Sequence, residues 1–178
     1  MDSLQLLSRH DARLSRKAED ILDFSDPGFQ AFIDELIRCG EDNLGVGIAA
    51  PQVGRSVRLF ILAPRPTARY PDAPEMTPMA VINPRILRAY GETEKAWEGC
   101  LSVPGFRGMV PRATEIDVAF TDRHGVERRA TYSGFVARVF QHEFDHLEGV
   151  LYPERMDKED RLVNLEEYAT LTGLVVPQ

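Results

Sequence analysis

Residues 142 to 146 read His-Glu-Phe-Asp-His. On an α-helix each residue advances about 100°, so His142 and His146 fall on one face a single turn apart, where two imidazoles can grip one divalent ion. Glu143 then points beside the ion. A carboxylate there can take a proton from water without using a coordination position, which makes water a nucleophile at neutral pH. That is hydrolytic chemistry. The plainer alternative is a charged helix face without metal. Against it, the string lies behind an apolar stripe, where two histidines and a glutamate would be costly to bury without a task.

The third ligand decides the class of hydrolase. Zinc endopeptidases with such a helix take it from a later Glu or His, and Glu148, Glu154 and Glu166 lie downstream. The other source is Cys100, in Glu98-Gly99-Cys100-Leu101-Ser102, whose thiolate would be a strong ligand. Residue types alone leave both open.

Several elements must position these groups. Asp26-Pro27-Gly28 followed by Phe29, Phe32, Ile33, Leu36 and Ile37 predicts a helix over 27–41, capped by Asp26 and stopped by Gly40. Gly45 to Gln52 reads as a loop or short strand built for close contact. Strands are expected at 57–62, 79–83, 86–90, 96–101, 115–121 and 127–133, the last two joined by a turn at Asp122-Arg123-His124-Gly125. The Pro-rich tract at 64–78 is a surface excursion without a packing pattern. Apolar positions at Val136, Val139, Phe140, Phe144 and Leu147 return at helical spacing, so the histidine string sits inside a helix that stops at Gly149. A final amphipathic helix is expected at 157–171. Helix, several antiparallel strands and helix in that order favour an α+β fold, with short antiparallel strands packed around a central metal-binding helix and helices near both ends.

The chain of 178 residues, 43% apolar and 28% charged, fits one ordinary domain over 1–178. Its formal net charge of −7, from 21 Lys and Arg against 28 Asp and Glu, argues against nucleic-acid reading. No apolar run approaches the roughly 20 residues that span a bilayer. Residues 1–7 show no secretory signal, so a cytoplasmic protein is expected. Of two cysteines, Cys39 reads as a buried or half-buried small side chain and Cys100 as the one with a chemical use. Trp97 reads as core, His10 and His124 as surface. Asp145 faces away from the ion and is expected to pair with Arg112.

Three strings, Gly45-Val46-Gly47-Ile48-Ala49-Ala50-Pro51-Gln52, Glu98 to Ser102 and Gln141 to His146, resemble in order and approximate spacing the signature motifs of the bacterial peptide deformylases. The resemblance runs over about 5–156, leaving 157–178 as a C-terminal helix and tail. It implies that Cys100, His142 and His146 hold one divalent ion, natively ferrous iron, with zinc, nickel or cobalt as possible occupants. Glu143 would serve as base and then acid, while the Gln52 side-chain amide and the Leu101 N–H stabilise the developing oxyanion. The segment through Val46 and Gly47, with Gly99, would pair with an extended substrate backbone. Arg107 would stand near the substrate. Phe135 and Val139, about one helical turn from His142, could line a pocket for a methionine side chain. The implied substrate is an N-formylmethionyl peptide, met near the ribosome exit tunnel, and the runner-up remains a zinc endopeptidase.

Overall fold

Leu59-Phe60-Ile61-Leu62 is apolar at every position, and a strand of that kind must be covered on both faces. The computed structural model describes residues 4–174 and covers it so. In chain order the sheet strands are β1 (Gly47–Ala49), β2 (Leu59–Leu62), β3 (Met79–Cys100), β4 (Val103–Thr121), β5 (Glu127–Ser133) and β6 (Val163–Asn164). β1 to β5 are neighbours in sequence order, each pair antiparallel, and β6 pairs with β4. The helices are α1 (Pro27–Asp42), α2 (Gly134–Leu147) and α3 (Leu165–Thr172).

Period-two alternation divides the core between the two faces. Leu59 and Ile61, with Ile48, Ala80 and Ile82, pack with Phe29, Phe32, Ile33 and Leu36 of α1. Phe60 and Leu62, with Val81, Ile116, Val118 and Phe120, pack with Ala137, Val139, Phe140 and Leu147 of α2. A fully buried side chain of this size contributes roughly 1.5–3 kcal/mol. The stripe that anchors α2 thereby leaves its other side to face the ends of β3 and β1. β5 ends at Ser133 and α2 starts one residue later, so the chain must reverse without a loop; Gly134, at φ 54, supplies the left-handed backbone this requires.

Four expectations are corrected. The segments read as separate strands at 79–83, 86–90 and 96–101 form the single 22-residue β3, interrupted only by register shifts such as those between Ile82 and Arg85 and between Tyr90 and Thr93. Bulges add a residue to one strand, so the alternation breaks while the ladder continues. β4 likewise begins at Val103, twelve residues before the expected 115. The expected C-terminal helix shrinks to α3: Val163 and Asn164 are taken by β6, and the Asn164 side chain then caps the helix by accepting from Glu167 N–H at 2.8 Å. Gly40 does not stop α1, which runs to Asp42; it lies inside the helix where a Cβ would come within 3.0 Å of Ile48.

Candidate metal centre and cleft

Cys100 ends β3 at the tight turn into β4, and His142 and His146 stand one turn apart on α2. Their ligand atoms all lie within 4.8 Å of one another, with Cys100 Sγ 3.3 Å from His146 Nε2. Sulfur and nitrogen donors bound at 2.0–2.3 Å around a tetrahedral ion sit about 3.5 Å apart, so the donor set suits one such ion. The downstream glutamates are elsewhere. Glu148 pairs with Lys17 at 2.9 Å and Arg58 at 2.7 Å, Glu154 accepts from Leu151 N–H, and Glu166 is an exposed residue of α3. Among the described residues the cysteine supplies the third ligand atom of the only such cluster.

His142 Nδ1 faces Glu98 Oε2 at 2.8 Å. Burial alone would raise the Glu98 carboxyl, but hydrogen bonds from His142 and Arg112, and their charge, hold it well below the carboxylate range. An ionised Glu98 only accepts, so Nδ1 carries the proton and Nε2 is left as a donor for a metal. Glu98 also accepts from Arg112 Nε and Nη2 at 2.9 and 3.0 Å and from Arg138 Nη1 at 3.0 Å. Arg112 reaches on to Asp145 at 2.6 Å, the pairing expected for that residue, and Asp145 takes Arg155 at 2.7 Å. This charged cluster joins the end of β3, β4 and α2. The second-ligand support by Glu98 was missed from sequence, although the residue lies two positions before Cys100.

Glu143 is buried, and its Oε2 has no partner among the described residues. Burial pushes its carboxyl up to about 7. The other oxygen lies against Gly47, where a Cβ would come within 2.6 Å of it. Gln52 is 2% exposed and is fixed by its environment. Its Oε1 accepts from Ala49 N–H at 2.9 Å, which orients Nε2 toward Ser102 Oγ at 3.2 Å and Cys100 Sγ at 3.4 Å. Burial, then the charges of His142 and Arg112, lower the His146 imidazole well below its ordinary value.

A cleft opens over these groups. Val46, Gly47, Gln52, Gly99, Cys100, Leu101, Arg107, Phe135, Val139, His142 and Glu143 all line it, whereas His146 lies beneath. Further lining residues lay outside the expectation, among them Trp97, Leu44, Arg69, Tyr70 and Arg138. Trp97 is not core: it is half-buried at the cleft with its ring 5.3 Å from Tyr168. Leu44 falls between the expected helix and the Gly45 segment, and Arg69 and Tyr70 come from the Pro-rich tract read as loop. Tyr70 packs on Phe135 with ring centroids 5.1 Å apart, a contact across the chain that no local periodicity announces. His10 and His124 are exposed and Cys39 is buried, as expected.

The sequence model of the polypeptide deformylase family matches residues 3–162, slightly beyond the span of the resemblance. Peptide deformylase 2 of a Nostoc species is 48% identical over 168 residues, covering 94% of each chain. Peptide deformylase 2 of Ralstonia nicotianae is 42% identical over 151 residues, covering 85% of each. The fold superposes on the Met-Ala-Ser-bound crystal structure of the class I type b peptide deformylase from Acinetobacter baumannii with a TM-score of 0.83 at 38% identity, covering 87% of this chain and 99% of that one. Sequence and fold agree over nearly the same residues that build the Cys-His-His cluster and its cleft, and the chain belongs to the polypeptide deformylase family.

Proposed function

We propose that the protein hydrolyses the formyl group from N-formylmethionyl peptides, releasing formate and a free amino terminus. The observation that carries this reading is the convergence of Cys100, His142 and His146 beside a buried glutamate at the floor of an open cleft. In this reading those three residues hold one divalent ion, and Glu98 fixes the His142 tautomer. A bound ion would polarise the formyl carbonyl and make water a stronger acid. Ferrous iron is the proposed native metal; zinc, nickel and cobalt suit the same thiolate and imidazoles.

The chain's own groups carry the rest. Glu143 takes a proton from water as its oxygen attacks the formyl carbon. The raised carboxyl then returns that proton to the departing nitrogen as the C–N bond breaks. Gln52 Nε2–H and the Leu101 N–H are the proposed donors to the carbonyl oxygen, where negative charge develops. β1 is an edge strand, so Val46 and Gly47, with Gly99 opposite, can take an extended peptide backbone by strand addition. Phe135 and Val139 supply an apolar wall suited to methionine, and Arg107 stands at the substrate side of Gly99.

We take 1–178 as one deformylase domain acting in the cytoplasm on nascent chains near the ribosome exit tunnel. Among the described residues no helix is long and apolar enough to cross a membrane. The test is anaerobic purification, metal analysis and formate release from formyl-Met-Ala-Ser. Wild type is expected to release formate, and Glu143→Ala to lose about 10²–10⁴-fold in turnover while keeping its metal. No formate from metal-loaded wild type would reject the reading, and metal loss in Glu143→Ala would reject the role of that residue.

A further inference from the structure

The cleft holds more positive charge than the proposed reaction uses. Of its three arginines, Arg138 is neutralised by Glu98 at 3.0 Å. Arg69 and Arg107 are not: among the described residues neither forms an ion pair with a carboxylate, in a protein whose formal net charge is −7. Arg107 is only 7% exposed. Its guanidinium lies across the backbone of Gly99, where a Cβ would come within 2.5 Å of Nη1, and it faces the Tyr168 ring at 5.8 Å. One of its five N–H donors reaches the Phe106 carbonyl at 2.7 Å, and among the described residues the others have no hydrogen-bond acceptor.

Arg69 lines the same cleft from the Pro-rich tract, half-buried. Burial first, and the charge of Arg107 next, push its guanidinium below the ordinary value. The segment is held in place by its neighbour Tyr70, whose ring packs on Phe135. Two arginines that line one cleft, each partly or wholly buried and without a carboxylate partner among the described residues, suit an anion, and a guanidinium fork matches a carboxylate.

Resting on the deformylase reading, we propose that Arg69 and Arg107 form a carboxylate clamp that favours formyl peptides bearing a carboxylate in the first residues after the methionine. The carboxylate can come from an Asp or Glu side chain or from the α-carboxylate of a short peptide. Two arms separate these sources. The first compares Glu with Gln at each of the three positions after formyl-Met in C-terminally amidated peptides. The second compares formyl-Met-Ala-Ala as free acid and as amide.

At low salt, kcat/KM is expected to favour the carboxylate by at least about fivefold in one arm, chiefly through KM, with the ratio shrinking as salt rises toward about 0.5 M. Arg69→Ala should bring that ratio below about two, Arg69→Lys should retain part of it, and Arg129→Ala, an exposed β5 arginine, should leave it intact. A wild-type ratio below about two in both arms, or one that survives Arg69→Ala, overturns the clamp. Calorimetry with the matching unformylated peptides reads the same preference without turnover. Tighter binding of the Glu peptide or the free acid supports the clamp even if no formate is released, an outcome that would sink only the deformylase reading. Equal affinities in every pair overturn the clamp whatever the turnover.

Discussion

Glu98 sits among Arg112, Arg138 and His142 at 3.0 Å or less, so removing one partner leaves charge stranded in a buried place. Arg112 serves both Glu98 and Asp145, and Arg112→Met is expected to cost about 3–5 kcal/mol, read as the shift in a urea unfolding midpoint. A loss below about 1 kcal/mol would mean the cluster is not holding β3 to α2. Gln52→Ala should act twice. Loss of the proposed oxyanion donor is expected to lower turnover by about 10²–10³-fold. The Ala49 N–H, left without its acceptor, costs about a further 1–3 kcal/mol of stability. Full turnover on a formyl peptide in that variant would remove Gln52 from the chemistry. The pairing of His142 with His146 was legible as one helical turn, whereas Cys100 was preferred to the downstream glutamates only through the family resemblance. Glu98 was not read as a partner of His142, because the contact joins a strand to a helix 44 residues away and no local rule connects them.

At the scale of elements, α1 was legible because its start is written in side chains: Asp26 accepts from Gly28 N–H and Pro27 stands in the first turn. The long strands were not, since bulges at Arg85 and Thr93 disturb the alternation that marks a strand. Helix α3 was overextended because pairing of Val163 with Arg107 is a tertiary choice. The hairpin between β4 and β5 was placed correctly, and its turn carries a pH signature. Burial would raise the Asp122 carboxyl, but the N–H groups of Val126 and His124 and the Arg128 side chain hold it below its ordinary value. A carboxyl depressed in the folded state stabilises the fold above its unfolded pKa of about 3.9, and that contribution fades as pH falls through the folded value. Wild type should therefore exceed Asp122→Asn in stability by a constant amount above about pH 5 and by less below about pH 4, measured by urea unfolding across pH. A difference that stays constant through acid would show that the turn does not depend on this charge.

For the whole molecule, the α+β class followed from the order of elements, whereas the division of the core by β2 appears only once the strands are paired. Phe140 is central to the face beneath the metal cluster, its ring 5.0 Å from Phe60 and 5.8 Å from Tyr132. Phe140→Ala should cost about 3–5 kcal/mol, and because α2 carries both proposed ligand histidines, bound metal per chain should fall with it. Full stability in that variant would mean the two-sided core is redundant. The sheet has two outer margins of opposite character. β5 bears Glu127, Arg128 and Arg129, charges that discourage another chain from docking there. β1, as Gly47-Ile48-Ala49, bears none, yet it ends after three residues in a 3₁₀ turn at Ala50–Val53. A margin so brief gives a sister copy too little ladder to zip onto, while an incoming polypeptide terminus needs only a few rungs; the protein stays open to guests without inviting its own aggregation.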